Sequence, residues 1–115
     1  MTKPLEVVES FFKAINAGDF NLAKQFMTDN HEYHGPMFST TSPEDYFEKL
    51  EAFKMEFAVE TQDMLVADHA VTHVAILKVL SPVQASIPTC EVFKIKEEKI
   101  EKQYFYFDTA LFPKG

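Results

Sequence analysis

The sequence predicts an α+β fold in which helices come first and an antiparallel sheet follows. Apolar residues recur at three- and four-residue steps up to about residue 54, and at every second position afterwards. Helices followed by a meander of strands are typical of the α+β class. With 115 residues, 46% of them hydrophobic and twelve of them Phe, the chain can bury one core. We therefore expect a single domain over residues 1–115.

The first two helices follow directly from their end signals. Helix one is expected over residues 4–17, because Pro4 suits a first helical turn and Gly18 suits the position just past the end. Asp19 then caps a second helix. The residues predicted to face inward are Leu5, Val8, Phe12 and Ile15 on the first helix, and Phe20, Ala23, Phe26 and Met27 on the second.

A third helix is expected to begin at Pro43. Ser42 can cap it, and Asp45 places a carboxylate three residues after the cap, as in a capping box. Residues 31–34 predict a short strand that ends at Gly35, and residues 37–41 predict a loop that could gate a pocket entrance. The predicted buried face of this helix is Tyr46, Phe47, Leu50 and Phe53.

The second half of the chain predicts four strands. Two prolines favour a loop or an irregular edge over residues 81–88, and short turns are expected at residues 67–69 and 97–98. The strands themselves are predicted at residues 57–62, 70–80, 89–96 and 99–107.

Composition excludes several classes of function. The net charge is −7 and the chain has no Arg, so a nucleic-acid partner or a strongly anionic ligand is not expected. No apolar run reaches the roughly 18 residues of a membrane span, and the N-terminus lacks the layout of a signal peptide. We expect a cytoplasmic protein in which the single Cys90 is a buried, reduced thiol.

The four histidines do not predict a metal site. His31 and His34 are three apart on a strand and face opposite sides, and His69 and His73 lie about 13 Å apart if extended. No helical His-Glu-x-x-His motif is present, so neither a metal nor another cofactor is expected.

Three segments carry a resemblance to a known family. They are FFKAINAGDFNLAKQFMTDN at residues 11–30, YHGP at 33–36 and EVFKIKEEKIEKQYFYFDTA at 91–110. Together with the order of elements between them, they resemble the nuclear transport factor 2-like superfamily, in particular its SnoaL-like branch. The resemblance implies a cone: a curved antiparallel or mixed sheet wrapped around three N-terminal helices, with an internal pocket. Relatives include isomerases, epoxide hydrolases, polyketide cyclases and noncatalytic binding or dimerisation modules.

Within such a cone, strand alternation sorts side chains into an inner and an outer face. The pocket-facing residues of the strands are predicted to be Phe57, Val59, Thr61, Asp63, Thr72, Val74, Ile76, Lys78, Thr89, Glu91, Phe93, Gln103, Phe105 and Phe107. Other ligand-binding residues are expected at Phe11, Ile15, Tyr33, Phe38 and Tyr46.

The opposite sheet face is predicted to be apolar. We expect a second copy of the chain to cover it, because an antiparallel sheet face of this composition is poorly suited to water. Relatives commonly form homodimers through this face. Its predicted residues are Val71, His73, Ala75, Leu77, Val79, Cys90, Val92, Tyr104 and Tyr106.

The resemblance also separates candidate chemistries. Gly35 stands where family isomerases carry a carboxylate base, and Phe11 stands at the position of their Tyr. Because both the carboxylate base and the Tyr are absent at these positions, we do not expect steroid isomerisation. Cyclases of the branch often carry Asp or His where Gln103 and Phe105 stand here, which weakens that assignment.

Two carboxylates remain as candidate catalytic residues. An inward Glu91 among aromatic rings is expected to have a raised pKa and to act as a general acid or hydrogen-bond donor. The alternative is a structural pair with Lys78 or a Tyr hydroxyl. Asp108 matches a recurrent Phe-Asp ending in the family, but a cap for residues 109–112 is the preferred interpretation.

Three functions therefore stay open from the sequence. One is a cofactor-free lyase, isomerase or hydrolase that uses Glu91. Another is a protein that binds a small, largely apolar molecule without chemistry. The last is a dimerisation module whose interior is filled by Phe side chains.

Overall fold

Within the described part of the chain, three helices and a six-stranded mixed sheet form the fold, as the α+β prediction requires. The structure is a computed structural model and describes residues 3–113. None of the helices in that range is long and apolar enough to cross a membrane. The elements are α1 (Pro4–Asn16), α2 (Phe20–Lys24), β1 (Met27–His34), β2 (Ser39–Thr40), α3 (Pro43–Ala52), β3 (Glu56–Val66), β4 (Ala70–Ser81), β5 (Ala85–Lys96), β6 (Lys99–Phe107) and a 3-10 turn (Thr109–Leu111).

The helix boundaries follow from the capping residues that the sequence indicates. The Asp19 side chain accepts the N–H of Leu22 at 3.1 Å, and the Ser42 hydroxyl accepts the N–H of Asp45 at 3.1 Å. Gly18 follows α1 with a φ of 74°, a left-handed conformation that favours glycine. Met27 is buried as predicted, but it begins β1 instead of ending the second helix.

The buried face of α1 is wider than the predicted stripe. Its fully buried residues include Val7 and Phe11, whereas Phe12 and Ile15 are only half-buried at the edge of the face. The rings of Phe11 and Phe12 lie 6.1 and 5.5 Å from that of Phe93 on β5. The helix therefore packs two adjacent aromatic positions onto the inner face of the sheet.

The sheet is open, with strand order β2-β1-β6-β5-β4-β3. β1 and β6 pair in parallel, and every other neighbouring pair is antiparallel. This parallel pairing places Tyr33 opposite Gln103. Long-range contact between the start and the end of the chain is therefore part of the fold.

β5 begins earlier than the two prolines suggested. It starts at Ala85 instead of Thr89, so part of the predicted loop belongs to the strand. Pro88 is tolerated there because pairing of β5 with β6 extends only as far as Thr89 and Phe107. At Pro88 the strand pairs with β4 alone, so β5 is an edge strand at this point. Proline is tolerated in edge strands because it has no N–H to donate to a second neighbour.

The face predicted for β4 is wrong. Residues directly opposite each other in antiparallel strands point to the same side, and His73 lies opposite Glu91. An inward Glu91 therefore requires an inward His73, and the predicted inward set of β4 turns outward. The buried or cavity-facing residues of β4 are Val71, His73, Ala75, Leu77, Val79 and, beside a register shift near the end of the strand, Leu80. Those on the outer face are Thr72, Val74, Ile76 and Lys78.

Two further predictions need correction on the outer face. A register shift between Thr61 and Asp63 places Asp63 opposite the outward Val74, so Asp63 is exposed. Cys90 lies opposite Val74 on the outer face, as predicted, but its side chain is half-buried and not buried.

Candidate functional site

A cavity of about 600 Å³ lies between the helices and the inner face of the sheet. Most of its lining is aromatic or aliphatic, and its ionisable carboxylic side chains are Glu51, Glu56 and Glu91. Such a lining suits an apolar molecule with few polar groups. Met37 and Phe38, from the segment predicted to gate the entrance, are also part of the wall. Within that segment, Ser39–Thr40 form the short strand β2.

Ten of the predicted site residues line this cavity. The helices and β1 contribute four of them, the segment before β2 one, and the sheet strands β3, β5 and β6 the rest. They are Phe11, Ile15, Tyr33, Phe38, Tyr46, Phe57, Val59, Glu91, Phe105 and Phe107.

Five predicted ligand-binding residues lie outside the cavity wall. Val74 and Ile76 are on the outer face, because the alternation of β4 is opposite to the prediction. Thr89 is buried and donates its hydroxyl to the carbonyl of Ala75 at 3.2 Å. Phe93 is fully buried beneath α1, and Gln103 is fully buried beside Glu91.

Glu91 combines burial with access to the cavity. Its side chain is 5% exposed, and Oε2 accepts a hydrogen bond from Nε2 of Gln103 at 2.7 Å. Burial raises the pKa of Glu91 to about 8, against the opposing effect of the Gln103 hydrogen bond. The carboxyl group is thus mostly protonated at neutral pH. The alternative pairing with Lys78 is wrong, because Lys78 faces outward and pairs with Glu60 at 3.7 Å.

Two tyrosine hydroxyls accompany Glu91 in the wall. The Tyr46 hydroxyl accepts a second hydrogen bond from Nε2 of Gln103 at 3.4 Å, so Gln103 links it to Glu91. The rings of Tyr33 and Tyr46 lie 4.9 Å apart. Burial raises the pKa of both tyrosines well above the ordinary value, which keeps their hydroxyls protonated.

His31 is a member of this cluster that sequence reasoning did not find. It is fully buried on β1, and its Nε2 lies 2.9 Å from Oε1 of Gln103. Burial lowers the pKa of His31 to about 4, so the imidazole is neutral. A usable signal was the alternation on β1, which puts His31 on the same face as Tyr33.

His73 is a second buried histidine, behind the cavity wall. Its Nε2 lies 2.9 Å from the Thr61 hydroxyl, and its ring centroid is 4.4 Å from that of Phe12. Burial lowers the pKa of His73 to about 4. Its side chain supports Phe12, which is part of the lining.

Asp108 caps the segment that follows it, as the sequence interpretation predicted. Its Oδ1 accepts the N–H of Ala110 at 2.9 Å, at the start of the 3-10 turn. The side chain is exposed and is not part of the cavity wall. Between residues 3 and 113, no group of three or more His, Cys, Asp or Glu side chains is placed to hold a metal ion.

Comparison with known proteins agrees with this fold. The family model described as SnoaL-like domain matches residues 8–103. No curated protein matches the chain significantly.

Several solved structures share the fold. An NTF2-like protein of unknown function from Cytophaga hutchinsonii has a TM-score of 0.83 at 22% identity, with 96% of this chain and 95% of that chain covered. An LEH-like epoxide hydrolase from M. tuberculosis has a TM-score of 0.80 at 20% identity, with coverages of 91% and 82%. A protein of ketosteroid isomerase-like fold from Catenulispora acidiphila, in complex with trimethylamine, has a TM-score of 0.81 at 18% identity, with coverages of 96% and 90%. At these identities the likeness establishes the fold alone.

Proposed function

The chain belongs to the SnoaL-like domain family, and we propose that it binds a small, largely apolar molecule in its cavity. In this proposal the neutral carboxylic acid of Glu91 donates a hydrogen bond to an oxygen atom of that molecule. The observation that carries the proposal is a buried carboxyl group, with its pKa raised by burial, in the wall of a largely apolar cavity of about 600 Å³.

The polarity of the wall supports an uncharged ligand. Among residues 3–113, the lining contains no Lys, and the chain has no Arg. Within this described lining a ligand carboxylate or phosphate would have no cation to pair with, and burying an unpaired charge is strongly unfavourable. The aromatic rings supply apolar contact, and Glu91, Tyr33 and Tyr46 supply the few polar groups that orient a ligand.

Acid catalysis at the same position is the second candidate function. A neutral Glu91 holds a proton that it can transfer to an epoxide oxygen while water attacks a ring carbon and the C–O bond breaks, which gives a diol, or to a carbonyl oxygen while a nucleophile adds to the carbonyl carbon. The fold is similar to that of an LEH-like epoxide hydrolase, which makes epoxides a reasonable substrate class to test. Steroid isomerisation is not favoured, because Gly35 supplies no base.

The third possibility, an interior filled by Phe side chains, receives less support. Phe53, Phe57 and Phe107 pack against Phe112 and close part of the cone. The remaining volume of about 600 Å³ is in the range of small-molecule sites.

Binding of a ketone-bearing naphthalene fluorophore tests the main proposal. We expect the wild-type affinity to fall about tenfold between pH 6 and pH 9, because an ionised Glu91 cannot donate a hydrogen bond. Glu91→Gln keeps a donor, so its affinity should be independent of pH and close to that of the wild type at pH 6. Glu91→Leu should bind about five- to tenfold more weakly at pH 6.

Two controls make the result specific. Glu51→Gln removes a carboxylate from an exposed part of the lining and should leave the pH dependence unchanged. The same fluorophore without its ketone should bind all variants alike. Equal pH dependence in wild type and Glu91→Gln, or no binding of either fluorophore, would contradict the proposal.

Kinetics on a panel of apolar epoxides test the second candidate. If Glu91 is the acid, Glu91→Gln should lower kcat by 10²-fold or more with little change in KM, because the amide binds but transfers no proton. Hydrolysis at equal rates in the two proteins would exclude Glu91 as the acid.

A further inference from the structure

We infer that Phe112 determines how long a ligand of this cavity can be. Its ring covers the inner face of β4 and β5 at a distance from Glu91, and so limits the cavity in that direction. The inference rests on the proposed function, which places the polar end of the ligand at Glu91. Phe112 was not among the residues that the sequence predicted to contact a ligand.

Strand pairing leaves one part of the inner sheet face without a third strand. β6 ends at Phe107, which lies opposite Thr89 of β5. Among the described strands, the part of β5 that precedes Thr89 pairs with β4 alone. We call this part, residues 77–79 with residues 85–87, the β4–β5 arm. Because its inner side is apolar, another part of the chain is needed to cover it. The inward side chains of the arm include Leu77, Val79 and Ile87.

Phe112 supplies this cover from the segment that follows β6. Its side chain is 8% exposed and forms one buried cluster with Val79 and Ile87. Its ring centroid lies 5.4 Å from that of Phe53 and 5.8 Å from that of Phe107. Phe112 is part of the cavity wall, whereas Val79 and Ile87 are not. The cavity therefore reaches the ring of Phe112 but not the two aliphatic side chains that cluster with it.

Hydrogen bonds of the 3-10 turn hold the backbone on which this ring is carried. The Asp108 carboxylate accepts the N–H of Ala110 at 2.9 Å, and the N–H of Phe112 donates to the carbonyl of Thr109 at 3.2 Å. The ring itself is packed between aromatic neighbours. A ligand that reaches Phe112 thus meets a wall that is fixed by hydrogen bonds and packing, and the cap formed by Asp108 helps to place that wall.

The spacing of residues along β5 gives the scale of the ligand. Glu91 and Ile87 are four residues apart and point to the same face. Because Phe112 packs in one cluster with Ile87, a ligand with its polar end at Glu91 has less than about 13 Å of wall before it meets this ring. The cavity therefore favours a compact molecule, with one or two rings or a short chain, over a long aliphatic one.

Displacement of the fluorophore by two straight-chain ketones tests the inference. 2-Octanone and 2-dodecanone carry the same polar group near one end and differ in length alone. For the wild type we expect affinities within about twofold of each other, because the extra methylene groups gain no buried contact. In Phe112→Ala the longer ketone should bind about tenfold more tightly than the shorter one, which is the gain from burying about two further methylene groups.

Two further variants make the measurement specific. Leu111→Ala changes a residue of the same turn that is 49% exposed and lies outside the cavity wall, so it should bind both ketones as the wild type does. Phe112→Leu leaves part of the side chain in place and should give an intermediate preference for the longer ketone. If Phe112→Ala does not fold, Phe112→Leu decides.

Nuclear magnetic resonance of the complexes locates the end of the bound chain. In Phe112→Ala with 2-dodecanone, we expect nuclear Overhauser contacts between the terminal methyl group of the ligand and the methyl groups of Val79 and Ile87. These contacts should be absent in the wild-type complex, where the Phe112 ring occupies that space. The same contacts in wild type and variant would overturn the inference.

The outcomes separate this inference from the proposed function. An equal preference for the longer ketone in the wild type, Phe112→Ala and Phe112→Leu overturns the inference and leaves ligand binding in the cavity intact. Failure of the wild type to bind the fluorophore and both ketones overturns the proposed function, and the inference with it.

Discussion

Gly35 shows how one missing side chain shapes the site. A Cβ atom at this position would lie 2.7–2.8 Å from two ring carbons of Tyr33 and closer still to its hydroxyl oxygen. Tyr33 is buried between Phe38 and Tyr46, with ring centroids 4.8 and 4.9 Å away, so it has little room to move. The position that carries a base in isomerases of the family is here occupied by the ring of a neighbouring residue.

Replacement of Gly35 by Ala is therefore expected to destabilise the fold by about 1–3 kcal/mol, as overpacking of a core does. Urea denaturation of Gly35→Ala in wild-type and Tyr33→Phe backgrounds measures the coupling. The loss should be smaller in the Phe background, because the nearest colliding atom is the hydroxyl oxygen.

Gly18 provides the matched control for this prediction. A Cβ atom there meets nothing within 4 Å, but φ is positive, so Gly18→Ala should cost about 1 kcal/mol through the backbone alone. Tyr33→Phe should leave that cost unchanged. An equal loss for Gly35→Ala in both backgrounds would show that the collision with the hydroxyl is unimportant.

At the level of single residues, the position of Glu91 in the cavity wall could be predicted, but the position of His31 beside it was not. Glu91 was found because alternation along one strand gives its face and the neighbouring aromatic residues give its environment. His31 was missed because its partner, Gln103, is 72 residues away in the sequence. Only the parallel pairing of β1 with β6 brings them together, and no local pattern encodes that pairing.

At the scale of elements, the error on β4 has a physical cause. Alternation gives two faces but does not say which is inside, and the apolar residues of β4 occupy both. Pairing removes the ambiguity, since Val71, His73 and Ala75 lie opposite Phe93, Glu91 and Thr89. Caps and turns were easier to predict because their signals are local.

The corrected outer face is still apolar, and we propose that a second copy of the chain covers it. Val74, Cys90 and Tyr106 form one row across β4, β5 and β6. Val74 is 36% exposed and Tyr106 is 58% exposed. A further row contains Val92 and Tyr104. Apolar surface of this kind typically lies in a protein–protein interface.

Substitution of Val74 tests this face. Light scattering should give the mass of a dimer for the wild type at micromolar concentration, and Val74→Asp should shift it toward the monomer, because a charge would be buried at the interface. Leu22→Asp changes a similarly exposed apolar residue on α2 and should remain dimeric. A monomeric wild type would rule out the proposed interface.

At the scale of the whole molecule, the order of elements and the presence of a pocket were predictable, but the volume of the cavity was not. The α+β cone was predicted from the helix caps, the change of period near residue 54 and the family resemblance. The volume of the cavity depends on how the Phe side chains of β3, β6 and the 3-10 turn pack against one another. That packing is a property of tertiary structure, which composition alone does not contain.

The buried ionisable groups predict how the stability of the whole molecule varies with pH. His31 and His73 have pKa values lowered from 6.5 to about 4, so below pH 6.5 the unfolded chain binds more protons at these positions, and stability rises with pH. Glu91 has the opposite sign. Its pKa is raised from 4.5 to about 8, so its contribution is fully present below pH 4.5 and is lost as pH rises through 8.

Together, the two histidines and Glu91 place the maximum of stability near pH 6.5, where the opposing slopes cancel. Above it, the free energy of unfolding should fall by at most about 1.4 kcal/mol per pH unit. Urea denaturation between pH 5 and pH 9 measures the profile. Glu91→Gln should remove the fall above pH 6.5, whereas Glu51→Gln, which removes a charge from an exposed site, should retain it. In this prediction the raised pKa of the buried Glu91 carboxyl group produces the decline. A Glu91→Gln profile that still declines like the wild type would show that other groups produce it.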